Sequence, residues 1–161
     1  MKDETSGVCP KIVFAVRHGK QQAGGVNLSD LGKEQIHRLR EILRRLVPTS
    51  YKVLILSSPI SRARESANII GEMFGVEHQV CDELRGDDWE DGQKQVDAIL
   101  AVTDGADVVI AVTHYQAPSG IAHAIASSRF EKAVDPEVSD NGNGFMVSLE
   151  TGDVVSDLLV S

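Results

Sequence analysis

The alternation of apolar runs with amphipathic segments constrains the fold more than any other feature of this sequence. Three runs stand at positions 11–16, 52–56 and 107–112. Each begins with one charged residue and continues with apolar residues, many of them β-branched. Such runs are typical of strands that are covered on both faces in a parallel sheet. Because segments with apolar residues at helical spacing separate them, the order β-α-β-α-β-α predicts helices on both faces of the sheet.

Capping residues indicate where the helices begin. Ser29 and Asp30 offer N-caps for the first helix. Ser58 as N-cap, with Pro59 at the first helical position, predicts the start of the second. Pro118 is expected to open the helix that follows the third apolar run.

The last part of the sequence has a different pattern. Two extended segments, residues 144–149 and 154–160, flank a turn of hairpin composition at Glu150–Asp153. We therefore expect an antiparallel edge. The predicted fold class is α/β, a three-layer α/β/α sandwich with a mostly parallel central sheet and an antiparallel edge strand.

Length and composition favour one domain. The chain has 161 residues, 42% of them hydrophobic, which is enough for one buried core. Residues 1–10 form a polar lead that we expect to be flexible, and residues 11–161 are expected to form a single domain. The sequence does not set the oligomeric state.

Charge and cysteine usage restrict the partners. A formal net charge of -8 argues against binding nucleic acid or an anionic membrane surface, and no apolar run approaches the roughly 18 residues of a membrane span. Cys9 and Cys81 make no disulfide framework, so a cytoplasmic location is expected. The five histidines lack metal-ligand spacing, and we expect neither a metal nor another cofactor.

Basic side chains follow the predicted strands at the edge where α/β sheets bind their ligands. Arg17 and His18 follow the first strand, Arg62 lies one turn into the helix after the second, and His114 follows the third. Phosphoryl transfer is helped mainly by positioned cations and N–H donors. The sequence therefore predicts a phosphate site, with His18 as the nucleophile once one ring nitrogen is fixed by a backbone acceptor.

Two further residues complete the predicted site. Gly19 is expected to allow close approach of the backbone to the ligand. Glu83 is the candidate general acid, because a carboxyl group that faces a phosphate dianion has a raised pKa. Its loop also carries Asp82, Asp87, Asp88 and Glu90.

Together these residues resemble the histidine phosphatase superfamily, also known as phosphoglycerate mutase-like proteins. Four motifs stand in the same order as in that family. They are the Arg-His-Gly signature, the segment that opens the first helix, the Ser-Pro segment before the second helix, and the strand that ends in histidine. They occur here at Phe14–Gly19, Leu28–Gln35, Ser58–Ala67 and Ala111–His114. The resemblance covers about residues 11–125 and implies that His18 is phosphorylated, with Arg17, Arg62 and His114 forming the phosphate pocket.

Within that superfamily the short chain is most similar to the SixA-type phosphohistidine phosphatases, whose open site admits a phosphorylated protein side chain. The spacing from Glu83 to Trp89 instead resembles the acid-bearing loop of small broad-specificity phosphatases. Lys20-Gln21 stands where many members have Glu-Thr. Three functions stay open: a metal-independent phosphohistidine protein phosphatase, a phosphatase for small phosphoesters, and a non-catalytic module that binds phosphate.

Overall fold

The computed structural model describes residues 9–159, and within them a six-stranded sheet has helices on both faces. Most of the predicted flexible lead, residues 1–8, lies outside the described residues. The strands are β1 (Ile12–Arg17), β2 (Val53–Ser57), β3 (Gln79–Val80), β4 (Val108–Thr113), β5 (Gly144–Ser148) and β6 (Val154–Val155). The helices are α1 (Asp30–Leu46), α2 (Ser61–Phe74), α3 (Gly92–Val102) and α4 (Ala117–Phe130), with short 3-10 helices at Asp82–Arg85 and Trp89–Asp91.

The strand order is β3-β2-β4-β1-β5-β6, and the first four of these strands run parallel. The three predicted central strands are confirmed as neighbours, with β1 and β4 in the middle. β5 pairs antiparallel with β1, so the predicted mostly parallel α/β sheet is confirmed. The two-residue β6 pairs antiparallel with β5 and lies at the edge of the sheet, so the predicted antiparallel edge is also confirmed.

The extended segment predicted at residues 154–160 is wrong at residues 156–159, which turn away from the sheet, and residue 160 lies outside the described residues. The backbone N–H groups of Leu158 and Leu159 donate to Asn143 Oδ1, at 3.0 and 3.3 Å. A side-chain acceptor thus replaces the strand ladder. The buried Leu158 side chain belongs to one of the two cores.

Alternate residues of the central strands enter two separate apolar cores. Phe14 and Ile110 pack with α1 and α2 on one face of the sheet. Val13 and Val109 pack with α3 and α4 on the other. The three-layer arrangement explains the unbroken apolar runs, because no face of these strands meets solvent.

The predicted helix starts hold at two of three places. Ser29 caps α1 by accepting the Gly32 N–H at 3.0 Å, and Pro118 lies in the first turn of α4. The predicted cap at Ser58 is wrong, because α2 begins at Ser61. The Ser58 hydroxyl instead accepts the Ile60 N–H at 3.1 Å.

Among residues 9–159, no helix is both long and apolar enough to span a bilayer.

Candidate active site

Four predicted site residues meet beyond the carboxyl ends of β1, β2 and β4. His18 follows β1, which ends at Arg17, and His114 follows β4. Arg62 lies in the first turn of α2, which follows β2. They share a cleft of about 300 Å³. The cleft is lined by Arg17, His18, Ile60, Arg62, Arg85, Asp87, His114 and Tyr115.

The His18 ring is fixed at both nitrogens. It is 4% exposed, and Nδ1 lies 2.7 Å from the carbonyl oxygen of Gly19, which can only accept a hydrogen bond. The proton is therefore assigned to Nδ1. Nε2 accepts from Arg62 Nε at 3.1 Å, so its lone pair faces the arginine side of the cleft.

Burial keeps His18 neutral. The pKa of the ring is lowered to about 3, with desolvation as the largest cause. The hydrogen bond to Gly19 acts in the opposite direction, whereas His114, Arg62 and Arg17 add to the lowering. A neutral imidazole retains the lone pair that a nucleophile needs. The electrostatic surroundings therefore suit attack by Nε2 at physiological pH.

His114 lies against His18 as a second neutral imidazole. The two ring centroids are 5.0 Å apart, and His114 Nε2 is hydrogen-bonded to the Ser58 hydroxyl at 2.8 Å. Burial first, and then the charges of Arg62 and Arg17, lower its pKa to about 4. A bound phosphate dianion would raise this pKa and make His114 a better donor.

Arg17 is half-buried and held by the chain that follows α4. Its Nη1 donates to the Ser139 carbonyl oxygen at 2.8 Å, whereas its buried Nε has no hydrogen-bond partner. The guanidinium carbon lies 5.8 Å from the centre of the Tyr115 ring. Burial lowers the pKa of Arg17 from its ordinary value, although an arginine stays charged at physiological pH.

A segment of residues 139–143, which we call the bracing loop, supports both Arg17 and His18. The Gly142 N–H lies 3.1 Å from the carbonyl oxygens of both residues. Asn141 Nδ2 donates to the His18 carbonyl oxygen at 3.2 Å, and the Asn143 carbonyl oxygen accepts the Arg17 N–H at 2.9 Å. The end of β1 that carries Arg17 and His18 is thus fixed by residues for which the sequence offered no motif.

Gly19 serves packing within the protein. An added Cβ would lie 2.4 Å from the carbonyl oxygen of Gly32 in α1, so this position needs glycine. The Gly19 N–H donates to Ser66 Oγ at 3.0 Å. Gly19 is not among the residues that line the cleft, and its contact with a ligand stays a prediction.

Glu83 also lies away from the cleft. Its exposed side chain lines a separate depression beside Val80 and Val102, and one carboxylate oxygen is 3.6 Å from Cys81 Sγ. Asp87 is the carboxylate of this loop that lines the cleft. The loop is fixed by the Thr113 hydroxyl, which donates to the carbonyl oxygen of Leu84 at 2.7 Å.

The spacing from Glu83 to Trp89 therefore does not identify a cleft residue. Trp89 packs on His123, with ring centroids 4.5 Å apart, and its Nε1 donates to the Val134 carbonyl oxygen at 3.1 Å. Other lining residues were not singled out from the sequence. Tyr115 could have been found from its place directly after His114, whereas nothing pointed to Ile60 or Arg85.

One group of carboxylates in residues 9–159 has metal-like spacing. One oxygen each from Asp87, Asp88 and Asp91 lies within 4.8 Å of the others. Asp91 is already engaged, because its Oδ2 accepts the Asp88 N–H at 3.2 Å at the start of a 3-10 helix. The arrangement fits helix capping, and metal independence stays a prediction.

Comparison with known families identifies the family of the chain. The family model of the histidine phosphatase superfamily (branch 1) matches residues 13–152. The chain belongs to the histidine phosphatase superfamily. The resemblance stated from its motifs is confirmed, and this histidine phosphatase family member is an enzyme of the phosphatase class. No curated protein matches the sequence.

Solved structures share the fold of this histidine phosphatase. SixA of Agrobacterium tumefaciens, assigned as a phosphohistidine phosphatase, superposes with a TM-score of 0.63 at 18% identity, over 92% of this chain and 99% of that one. SixA of Nakamurella multipartitia gives 0.65 at 19% identity, over 91% and 92%. The mycobacterial glucosyl-3-phosphoglycerate phosphatase with VO3 gives 0.61 at 16% identity, over 86% and 92%. The phosphoglycerate mutase-like fold is thereby confirmed.

Proposed function

We propose that the protein hydrolyses a phosphorylated substrate, without a metal ion, through a phosphohistidine intermediate on His18. The observation that carries the proposal is the state of the His18 ring. It is neutral, its Nδ1 proton is held by the Gly19 carbonyl oxygen at 2.7 Å, and its Nε2 faces Arg62 at 3.1 Å. A nucleophile directed at bound phosphate needs this combination.

In the first step, a bond forms between His18 Nε2 and phosphorus while the bond from phosphorus to the leaving group breaks. The Arg62 N–H that donates to Nε2 in the free protein turns to a phosphoryl oxygen. Arg17 and His114 donate to the other oxygens as charge develops on them. In the second step, water attacks phosphorus and the bond to Nε2 breaks, which releases inorganic phosphate and restores neutral His18.

Asp87 is the group that we propose as proton donor to the leaving oxygen and base for the attacking water. It is the carboxylate that lines the same cleft as His18, which Glu83 does not. A carboxyl group in this place can give a proton to the leaving oxygen and then take one from the attacking water.

For the substrate, we propose a phosphohistidine on another protein. The SixA structures support this proposal, because they match nearly the whole of both chains and are assigned to that activity. A solved protein histidine phosphatase SixA also carries tungstate, an oxyanion of the same shape as phosphate. The partner is then a phosphorylated protein, which a single domain of this chain binds. The proposed location is the cytoplasm, where the two free thiols of Cys9 and Cys81 would stay reduced.

A small phosphoester is the second candidate substrate. Asp87 in the cleft favours it, because an alkoxide leaving group needs a proton far more than a histidine nitrogen does. The likeness to the glucosyl-3-phosphoglycerate phosphatase also agrees with this alternative.

The test compares p-nitrophenyl phosphate with a phosphohistidine protein, both in excess chelator. The wild type, His18→Ala and the exposed histidine variant His37→Ala are assayed side by side. We expect chelator-resistant turnover by the wild type and His37→Ala, and a loss of more than about a thousandfold in His18→Ala. The substrate with the higher kcat/KM identifies the substrate class.

Full activity of His18→Ala would overturn the mechanism. Loss of wild-type turnover in chelator would overturn metal independence. Binding of phosphate without turnover of either substrate would contradict both proposed substrate classes.

A further inference from the structure

Tyr115 has a backbone conformation that large side chains rarely adopt. Its φ is +49°, and in the described part of the chain the other non-glycine residue with positive φ is Glu131, at the end of α4. For a bulky residue this left-handed conformation is strained. Such strain persists where neighbouring contacts enforce it, and it is concentrated at functional sites.

The contacts on both sides of Tyr115 account for its conformation. The Ser139 N–H donates to the Tyr115 carbonyl oxygen at 3.2 Å. The Gln116 N–H donates to the Asp87 carbonyl oxygen at 2.9 Å, and the Ala117 N–H to the His114 carbonyl oxygen at 2.9 Å. The backbone is therefore held by the bracing loop, by the acidic loop and by the first turn of α4. Glycine would meet the same constraints without strain, so the tyrosine side chain itself needs an explanation.

The Tyr115 ring does not serve the core. It is 46% exposed, lines the cleft, and lies 5.8 Å from the Arg17 guanidinium. With Ile60 it forms the apolar part of a lining that otherwise consists of charged and imidazole side chains. A phosphoryl group held by Arg17 would have the Tyr115 ring beside its substituent.

We propose that Tyr115 is a specificity-determining residue, whose ring stacks against planar leaving groups such as imidazole and aryl rings. The proposal rests on the phosphatase function proposed above and deepens it. A planar group can lie face to face or edge to face with the phenol ring, whereas an alkyl group has no such surface. The strained backbone fixes the ring at the mouth of the cleft before substrate arrives.

Non-hydrolysable phosphonates test this contact separately from catalysis. Calorimetry measures the dissociation constants of phenylphosphonate and methylphosphonate for the wild type, Tyr115→Ala and Tyr115→Phe. Val80→Ala is the matched control, because Val80 is equally exposed at 47% and lies outside the cleft. We expect the wild type, Tyr115→Phe and Val80→Ala to prefer phenylphosphonate, and Tyr115→Ala to lose about three- to tenfold of that preference.

An unchanged preference in Tyr115→Ala overturns the proposal, as does a wild type that binds both phosphonates equally or binds neither. Hydrolysis of p-nitrophenyl phosphate is measured on the same wild-type sample and on His18→Ala. Failure of that turnover counts against the proposed function. Equal dissociation constants for the two phosphonates count against the role of Tyr115 alone.

Discussion

His18 and Asp87 divide the chemistry of the proposed reaction between a nucleophile and a proton carrier. His18 is fixed by contacts to its own backbone neighbour and to Arg62. Asp87 is exposed and lies in a loop whose backbone, not its carboxylate, is anchored to the sheet. The proton carrier can therefore adjust to different leaving groups more easily than the nucleophile can.

Substitution of the two loop carboxylates should separate their roles. Asp87→Asn is expected to slow hydrolysis of an alkyl phosphate by about a hundredfold, because its alkoxide leaves only with a proton. Hydrolysis of p-nitrophenyl phosphate, with a better leaving group, should slow much less. Steady-state kinetics on both substrates measure the difference.

Glu83→Gln is the matched control for this experiment, since Glu83 lies in the same loop but outside the cleft. It should leave both rates close to those of the wild type. The reverse result, with Glu83→Gln selectively slow on the alkyl phosphate, would restore the acid indicated by the sequence spacing.

The sequence could predict which residues lie near the cleft only where the direction of the side chain follows from the fold. Arg17, His18 and His114 follow strands, so the sheet itself brings them to one edge. Glu83 and Asp87 lie in a loop where direction depends on 3-10 turns and on contacts from distant residues. No local pattern distinguishes between carboxylates in that situation.

At the scale of the elements, α3 and α4 are in close backbone contact because glycines stand where they meet. A Cβ on Gly120 would lie 2.3 Å from the carbonyl oxygen of Trp89, and one on Gly92 would lie 2.1 Å from the carbonyl oxygen of Gly120. These glycines set the distance between the 3-10 turn and α4. Since Gln116 at the start of α4 also binds Asp87, the contact affects the wall of the cleft.

Gly120→Ala should therefore destabilise the protein although alanine has the higher helix propensity. We expect the free energy of unfolding to fall by about 2 kcal/mol, because the methyl group has no free space. Ser128→Ala, an exposed change in the same helix, should stay within about 0.5 kcal/mol of the wild type. Urea unfolding of the three proteins checks this, and a Gly120→Ala protein as stable as wild type would contradict the packing argument.

The sequence predicted the central elements well because their burial on both faces leaves a clear pattern. It failed at the tail, where Asn143 replaces strand pairing with a side-chain acceptor that has no sequence signature. It also assigned the start of α2 to Ser58, whose hydroxyl binds Ile60 and His114. In both places a tertiary contact determines the structure.

For the whole molecule, burial of two neutral imidazoles links stability to pH. The folded-state pKa of His18 is about 3 and that of His114 about 4, both below the ordinary value of 6.5. Between about pH 3 and pH 6.5, the unfolded chain therefore binds more protons than the folded protein does. Stability rises with pH across this window and is lost as pH falls below about 6.5.

His18→Gln should reduce this acid sensitivity. Between pH 7 and pH 5 the wild type is expected to lose about 2 kcal/mol more of its free energy of unfolding than the variant. Urea unfolding at pH 7, 6 and 5 measures the two curves. Parallel losses in both proteins would show that His18 is not buried in its neutral form.

The position of β1 between β4 and β5 also bears on how the protein is made. Ile12 pairs with Val108 on one side and with Ser148 on the other, so β1 cannot complete its pairing until these two later strands have been synthesised. Arg17, His18, Arg62 and His114 all emerge before the bracing loop that holds the end of β1. A nascent chain can thus carry every side chain that lines the cleft and still be inert. We expect activity to appear only after residues 139–148 have been synthesised.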